Sequence, residues 1–330
     1  MKILILSNND LGLYNFRREL IEKLIELNNK VFISLPQGPK ISELEKFGCK
    51  YIETAVDRRG INPIKDLKLL FKYIKIIKNI KPDYVLTYTI KPNLYGGIAS
   101  RIVKVPQIAN ITGLGTAMEN KGVLQKIAIV LHRIALKKVK CCFVQNTENL
   151  EFLKKHKIAQ DKLKLIPGSG VNLEKFHLLD YPKENDPIEF LFISRTMKEK
   201  GIDQYLEMAE HIKNKYPNTE FHILGFCEQE YEQKLQELQA KGIIKYHGRQ
   251  DNILPYMQNA SCIIHPTYYP EGMSNVLLEA CACGRAIITT NRAGCREIVD
   301  DGINGCIVEE KNSNDLIKKV EKFINLSNKA

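Results

Sequence analysis

An unbroken apolar run directly after the first two residues, Ile3-Leu4-Ile5-Leu6, constrains the fold of this chain more than any other feature. A run without polar alternation fits a strand covered on both faces, which is the setting of a parallel sheet. Ser7 to Gly12 is a polar turn, and Tyr14–Asn28 then carries apolar residues at helical spacing. The same strand–turn–helix unit recurs. The spacing predicts further strands at Val31–Leu35, Tyr84–Tyr88, Gln107–Ile111, Cys141–Gln145 and Leu163–Ile166. It predicts helices at Lys40–Phe47, Ile64–Ile80, Pro92–Val103, Val123–Val139 and Glu148–His156.

The turn-forming stretch Pro167-Gly168-Ser169-Gly170 interrupts this series. After a loop to about Pro187 the alternation resumes. Strands are expected at Phe190–Ser194, Phe221–Leu224, Ile243–His247, Cys262–His265 and Ala286–Thr290. Helices are expected at Asp203–Tyr216, Glu230–Ala240, Ile253–Gln258, Met273–Ala282 and Asp315–Ile324. A chain of 330 residues exceeds the ~100–200 residues usual for one domain. Two successive α/β domains with parallel sheets are therefore expected, at 1–167 and 168–330. Ligands in such sheets bind beyond the carboxyl ends of the strands, and with two domains the natural site lies between them.

Composition narrows the class. Apolar residues make up 44% of the chain and charged residues 26%, enough apolar surface to offset chain entropy in a soluble fold. The nine cysteines are irregularly spaced, with Cys141 beside Cys142 and Cys281 two before Cys283. This matches neither a zinc ribbon nor a disulfide framework, so a reducing cytoplasm and no metal are expected. The longest apolar candidate, Val123–Leu136, is broken by Lys126, His132 and Arg133 and falls short of the ~20 residues a membrane span needs.

Charge is unevenly placed. Met1–Leu165 holds 30 Lys and Arg against 14 Asp and Glu, whereas Ile166–Ala330 holds 19 against 24. A basic first half points to an anionic partner: nucleic acid, an anionic membrane or a phosphorylated substrate. No zinc finger, helix-turn-helix or RNA-binding aromatic motif is present, so nucleic acid is the weakest of the three.

The segment most informative for chemistry runs Glu271-Gly-Met-Ser-Asn-Val-Leu-Leu-Glu279-Ala-Cys-Ala-Cys-Gly284. It follows an expected strand, and a helix from Met273 would stop at Gly284. On helical geometry the two glutamates lie ~12 Å apart along the axis and about 80° around it. A glycosidase pair would flank one bond at roughly 5–9.5 Å. The two carboxylates therefore read as separate handles on one long ligand, with N–H groups at Gly272, Met273 and Ser274 offered to anionic or hydroxyl groups. Taken alone, the pair would be an acid before a helix and a solvated acid within it.

The pair has company. With Gly294-Cys-Arg-Glu-Ile-Val-Asp-Asp-Gly-Ile-Asn-Gly305 downstream, the segment closely resembles the signature of glycosyltransferase family 4, two glutamates with seven residues between them, then a Gly-bounded helix and strand. Ser194-Arg195-Thr-Met-Lys-Glu-Lys200-Gly201 resembles the family's basic phosphate-binding turn, and Gly168–Phe176 its interdomain segment. Tyr88-Thr-Ile-Lys91-Pro-Asn93-Leu-Tyr-Gly96 and Asn110-Ile-Thr112-Gly-Leu-Gly115 resemble the subgroup that builds bacterial capsule, O-antigen and related surface glycans.

The resemblance covers nearly the whole chain. It implies two Rossmann-like domains facing across a cleft, the GT-B arrangement. It implies transfer of a hexose or N-acetylhexosamine from a nucleotide-diphosphate sugar, UDP-linked by expectation, with retention of anomeric configuration and without metal or other cofactor. By position, Glu271 would hold the sugar hydroxyls, with Gly272, Met273, Ser274 and Asn275 beside it. Glu279 would hold the ribose, while Arg195 and Lys200 neutralise the diphosphate. A departing nucleoside diphosphate gains negative charge, and fixed cations stabilise it. Arg249, in the Gly248–Asn252 turn, is the candidate at the base.

Gly12 would let backbone approach a phosphate, although Ser7–Gly12 lacks the G-x-G-x-x-G spacing of dinucleotide oxidoreductases. The chain departs from the family at Thr89-Ile90-Lys91, where many relatives carry a His that touches the donor sugar. Lys91, Asn93 and Thr112 are instead candidates for the acceptor. Relatives also continue into a final helix that crosses back onto the first domain, and by this resemblance that helix is expected to be missing here. The alternatives are a sugar-nucleotide epimerase on a similar fold, or an inactive membrane-associated sugar-binding protein.

The basic first half carries two lysine-rich amphipathic segments. In Ile64–Ile80 the apolar stripe is Ile64, Leu67, Phe71, Ile74 and Ile77, opposed by Lys65, Lys68, Lys72, Lys75 and Lys78. Lys121–Lys140 is similar. Each stripe is expected to pack on the sheet with lysines outside. Their uniform sign points to peripheral binding on the inner, anionic face of the cell membrane, where a polyprenyl-diphosphate-linked saccharide would be the acceptor.

Overall fold

β1 (Lys2–Leu6) is an interior strand, third of seven, from which the first sheet grows outward on both sides. In the computed structural model the described residues are 1–57, 60, 62–119, 121–183 and 185–327. Ala330, the expected end of the second domain, lies outside them. Two units are distinguished: Met1–Ser169 with Pro270–Met273, and Gly170–Tyr269 with Ser274–Ala330.

The first unit follows β1 with α1 (Asp10–Glu26), β2 (Lys30–Leu35), α2 (Ile41–Lys46), β3 (Lys50–Glu53), α3 (Pro63–Ile80) and β4 (Tyr84–Tyr88). A π-helical turn, Pro92–Gly96, runs into α4 (Gly97–Val103). Next come β5 (Gln107–Ile111), α5 (Thr116–Glu119), α6 (Val123–Ala135), β6 (Cys141–Val144), α7 (Thr147–Lys155) and β7 (Leu163–Leu165). All strands are parallel, in the order β3-β2-β1-β4-β5-β6-β7, and Ile3 of β1 pairs with both Val31 and Tyr84.

The order reverses direction at the β1/β4 pair. Right-handed crossovers then place α1 and α2 on one face, and α3, α4 and α6 on the other. The buried side chains agree. Ile3, Ile5, Leu13 and Ile21 form one core on the α1 face, whereas Leu4, Leu6, Leu69 and Tyr73 form another under α3. Gly97 lets α4 meet α6 closely, since a Cβ there would stand 2.8 Å from the Ala135 carbonyl oxygen.

α3 overturns one expectation. Asn62 caps it by accepting from the Ile64 and Lys65 amides, and Pro63 opens it. Its buried residues are Leu69, Tyr73, Ile76 and Ile77, so these form the stripe on the sheet. Ile64, Leu67 and Phe71 are instead 68%, 52% and 61% exposed. Both stripes have helical spacing, and only packing decides which one the sheet covers.

The second unit contains β8 (Ile188–Ile193), α8 (Ile202–Lys215), β9 (Thr219–Leu224), α9 (Glu232–Ala240), β10 (Lys245–Tyr246) and α10 (Leu254–Asn259). It continues with β11 (Cys262–His265), α11 (Asn275–Ala282), β12 (Ala286–Thr290), β13 (Gly305–Val308) and α12 (Ser313–Ser327). The parallel order is β10-β9-β8-β11-β12-β13. Phe190, Phe192 and Phe221 pack with α8 and α12 on one face, while Leu191, Ile263 and Leu277 pack with α10 and α11 on the other. Two parallel-sheet, Rossmann-like units therefore exist, as expected. The edge strands β3 and β13 are additions to the sequence reading.

Candidate active site

In the second sheet the direction of strand order reverses between β8 and β11, the place where open α/β sheets bind ligands. The loops leaving these two strands carry the candidates. After β8, Arg195–Lys200 forms a turn tied to its neighbours: Thr196 donates from N and Oγ1 to the Phe226 carbonyl, and the Glu199 carbonyl accepts from Tyr268 N and Thr267 Oγ1. Gly201 closes the turn at φ 77°, where a Cβ would lie 2.1 Å from the Pro266 carbonyl oxygen, so glycine alone fits. Lys200 Nζ lies 5.1 Å from the Tyr269 ring centroid. Arg195 approaches Glu228 at 3.6 Å, with both side chains partly exposed, a loose pair that leaves the guanidinium's other donors usable. After β10, Arg249 stacks over Phe226 at 5.3 Å and donates to Asp251 at 2.7 Å.

After β11 the structure revises the helix start. α11 begins at Asn275 rather than Met273, with Ser274 at the N-cap. Ser274 is buried, its amide donates to the Gly294 carbonyl at 2.8 Å, and its hydroxyl lies 3.4 Å from His265 Nε2. Ser274 N–H is therefore committed to protein, contrary to the expectation that it faces a ligand. Its side chain also leaves the helix start uncapped, the condition under which a helix N-terminus attracts an anion. Asn275, in the first turn, has a buried Oδ1 with no protein partner. Because Glu271 precedes the helix by four residues, the 12 Å and 80° figures from helical geometry do not apply. Glu279 lies in the second turn of α11. Burial pushes its carboxyl up to about 7, with Lys175 pulling the other way.

Glu271, Gly272 and Met273 belong to the first unit. The Glu271 carbonyl accepts from Asn146 Nδ2 at 3.1 Å and from Asn149 Nδ2 at 3.2 Å, and the Gly272 carbonyl accepts from Asn146 Nδ2 at 2.5 Å. Asn146 meanwhile caps α7 by accepting from the Asn149 amide. A Cβ on Gly272 would stand 2.8 Å from the Thr112 carbonyl oxygen and 2.3 Å from Gln145 Oε1. At φ 137°, a Cβ on Gly113 would meet the Pro270 carbonyl oxygen at 3.0 Å. Thr112 thus meets this segment through its backbone. Two glycines permit the contact, and two asparagines hold the Glu271 backbone.

The first sheet's own switch point lies between β1 and β4. Gly12 sits inside the first turn of α1 rather than in a loop, and its amide donates to Asn9 Oδ1 at 2.6 Å. A Cβ would stand 2.9 Å from that oxygen, so the glycine serves the Asn9 cap. Lys91 is largely buried, with Nζ 2.6 Å from Asp66 Oδ1, while the other Asp66 oxygen accepts from the Tyr95 hydroxyl. Lys91 is thus paired rather than presented as a lone cation. Asn93 is buried and binds Thr87 Oγ1 and the Asn110 carbonyl, a structural task. Thr89, in the Thr89–Lys91 segment, adopts φ 70° with a buried Oγ1 that has no protein partner. That is a strained state for a β-branched residue.

Sequence reading missed Asn146, Asn149 and Arg17. Arg17 occupies the buried stripe of α1 between Leu13 and Ile21, 4.8 Å over the Tyr88 ring, and burial lowers its pKa. A cation in a core stripe was the available signal. Among the described residues, Glu189, Glu220 and His222 bring ligand-capable atoms within 4.8 Å of one another. Lys245 Nζ stands 2.6 Å from Glu220, so one of the three already has a cationic partner.

Comparison with known proteins agrees across both halves. Residues 2–146 match the family described as Glycosyl transferase 4-like, and residues 176–330 match Glycosyl transferases group 1. The chain is similar to N,N'-diacetylbacillosaminyl-diphospho-undecaprenol alpha-1,3-N-acetylgalactosaminyltransferase of Campylobacter jejuni, 27% identical over 340 residues, covering 98% of this chain and 89% of that protein. It is 29% identical over 329 residues to the capsular polysaccharide biosynthesis glycosyltransferase CapM of Staphylococcus aureus, covering 93% and 84%. Among solved structures, Anabaena HepE in complex with UDP-glucose superposes with a TM-score of 0.79 over 100% of this chain and 91% of that one. At 18% identity it speaks for the fold alone.

Proposed function

This chain belongs to the glycosyltransferases with a glycosyl transferase 4-like first half and a glycosyl transferases group 1 second half, and from that premise we propose that it transfers a hexose or N-acetylhexosamine from a UDP-sugar to a polyprenyl-diphosphate-linked saccharide, with retention and without metal. The relatives' names support the chemistry: one acts on a diphospho-undecaprenol-linked sugar and another serves capsule assembly. The observation that carries the donor reading is the switch point of the second sheet. There a basic turn locked by Gly201 and the side-chain-uncapped start of α11 leave adjacent strands.

In this proposal the second unit is the nucleotide-sugar domain and the first the acceptor-side domain. Arg195 and Lys200 meet the diphosphate and stabilise the charge that grows as the glycosidic bond breaks. The amides opening α11 add their dipoles. Glu279 accepts from the ribose hydroxyls, Arg249 marks the turn beside the base, and Glu271 accepts from hydroxyls of the sugar. Gly272 allows the close backbone approach there. Fixed cations then do the work a divalent ion does elsewhere. A lipid-linked acceptor puts the reaction at the inner face of the cell membrane, where the protein would be peripheral; no helix among the described residues is long and apolar enough to cross a membrane.

The test is transfer of labelled sugar from a panel of UDP-hexoses and UDP-N-acetylhexosamines to undecaprenyl-diphosphate-linked saccharide, in EDTA. The expected product keeps the donor's anomeric configuration by NMR. A requirement for divalent metal would remove the metal-free part, an inverted product the retaining part, and absence of transfer from any UDP-sugar the whole.

A further inference from the structure

α1 buries an arginine that no acid answers. Asp10, Leu13, Arg17 and Ile21 form the helix face turned to the sheet, and Arg17 is 8% exposed. A guanidinium stays charged inside a protein, so burial of this kind ordinarily comes with a carboxylate. Here Nη1 donates to the Phe16 carbonyl one residue back, and the guanidinium lies 4.8 Å over the Tyr88 ring. Nε is buried with no protein partner, and among the described residues no carboxylate pairs with the group. Asp10, the acid on the same helix face, accepts from the Lys40 amide instead.

Two further unfilled groups lie around Tyr88. This residue ends β4 and is level with Asn110 of β5, so their side chains share the α1 face of the sheet. Asn110 Oδ1 and, one residue after Tyr88, Thr89 Oγ1 are both buried without a protein partner. Thr89 holds φ 70°, a strain of the kind found at ligand sites. The three groups gather at the carboxyl ends of β4 and β5, beside the β1/β4 switch point where such a sheet takes its ligand. Arg17 offers a charged donor, Asn110 Oδ1 an acceptor, and the Thr89 hydroxyl either role. That set matches a phosphate oxygen next to a sugar hydroxyl.

We propose that Arg17, with Thr89 and Asn110 beside it, binds the phosphate and adjoining sugar of a diphosphate-linked acceptor. The inference deepens the acceptor reading above and rests on it. It also supplies the cation that reading lacks, since Lys91 is paired with Asp66 and Asn93 bonds Thr87 and the Asn110 carbonyl. The donor's diphosphate is assigned to Arg195 and Lys200 in the second unit, so the two anions have separate partners. An unpaired buried cation destabilises the empty protein, and an arriving anion relieves it. A purely structural arginine would do the opposite, stabilising the fold and leaving binding alone.

The test is calorimetric titration of the full chain with N-acetylglucosamine 1-phosphate, and separately with inorganic phosphate, at saturating UDP so that the donor site is filled. Wild type is expected to bind the sugar phosphate more tightly than phosphate alone. Arg17→Met should weaken that binding by about tenfold or more, the scale of a hydrogen bond to a charged group. It should bind UDP within about twofold of wild type and melt no lower, because an apolar side chain of similar length replaces an unpaired charge. Asn110→Ala should weaken the sugar phosphate and leave inorganic phosphate unchanged. Wild type that takes up no sugar phosphate beside UDP, or Arg17→Met that binds it equally, overturns the proposal. So does Arg17→Met that melts lower than wild type or fails to fold, which would mark a structural arginine. Asn110→Ala that binds as wild type removes the sugar part. UDP binding without sugar-phosphate binding defeats this inference alone, whereas wild type that binds no UDP defeats the donor reading itself.

Discussion

Glu271→Ala is expected to lower kcat by roughly 10²–10³-fold, the usual scale for removing one preorganised polar group from a transition state, while UDP affinity changes by less than about threefold. The backbone at this position is held independently of its side chain. Asn146 and Asn149 donate to the Glu271 carbonyl, and Asn146 also to the Gly272 carbonyl. The alanine variant should therefore keep these backbone bonds while it loses the carboxylate. A carboxylate that accepts from sugar hydroxyls gains importance as positive charge develops on the sugar ring, so the loss belongs in kcat. Steady-state kinetics with a saturating UDP-sugar, alongside calorimetric titration with UDP, checks it. If UDP affinity falls in step with kcat, Glu271 serves the nucleotide or the loop instead.

Glu279→Gln is expected to act in opposite directions on stability and on binding. Burial raises the folded carboxyl from 4.5 to about 7, so between those values the folded chain keeps a proton that the unfolded chain has released. Stability associated with this group is thus fully present below pH 4.5 and is lost as pH rises through 7. The gap between the glutamine variant and wild type should open across that window. It should reach up to about 3 kcal/mol in favour of glutamine at pH 8, at 1.36 kcal/mol per pKa unit. UDP binding should move the other way. Ribose hydroxyls donate to an ionised carboxylate in charge-assisted bonds, so the variant should bind UDP about 10–100-fold more weakly at pH 8. Wild-type affinity should decline as pH falls through 7, and the variant's should stay flat. Urea unfolding at pH 5 and pH 8 with parallel UDP titrations measures both. A variant that is no more stable than wild type at pH 8 contradicts the buried, ionisable placement.

Much of the architecture could be read from local pattern because interior strands are mostly apolar and bounded by turn-forming residues. Tyr84–Tyr88, Gln107–Ile111, Cys262–His265 and Ala286–Thr290 have the expected bounds. Two of the four edge strands, β3 and β13, escaped. Lys50–Glu53 has two apolar residues between charges, and Gly305–Val308 is four residues after a turn. Each is a strand because a neighbour pairs with it, which is tertiary context rather than propensity. The face of α3 was misjudged for a related reason, since Phe71 and Tyr73 both sit in helical stripes and only the sheet selects between them.

The candidate site divides the same way. The Glu271/Glu279 spacing and the Arg195–Lys200 turn are local patterns. The bond from Asn146 to Glu271 joins residues 125 apart in sequence, and no window of sequence contains it. Likewise, the Asp66 that pairs Lys91 comes from a helix 25 residues earlier, so the lysine looked available to an acceptor when read alone.

The central claim, a nucleotide-sugar site built at the β8/β11 switch point, is tested most directly by thermal unfolding with a panel of UDP, GDP and their sugars. A ligand that binds the folded state alone raises the melting temperature in step with its affinity, by about 2.7 kcal/mol of stability at a hundred times Kd. The account predicts stabilisation by UDP and at least one UDP-sugar, diminished in Glu279→Ala and in Arg195→Ala but retained by Glu271→Ala with UDP. A melting temperature unmoved by every nucleotide and nucleotide sugar would contradict it.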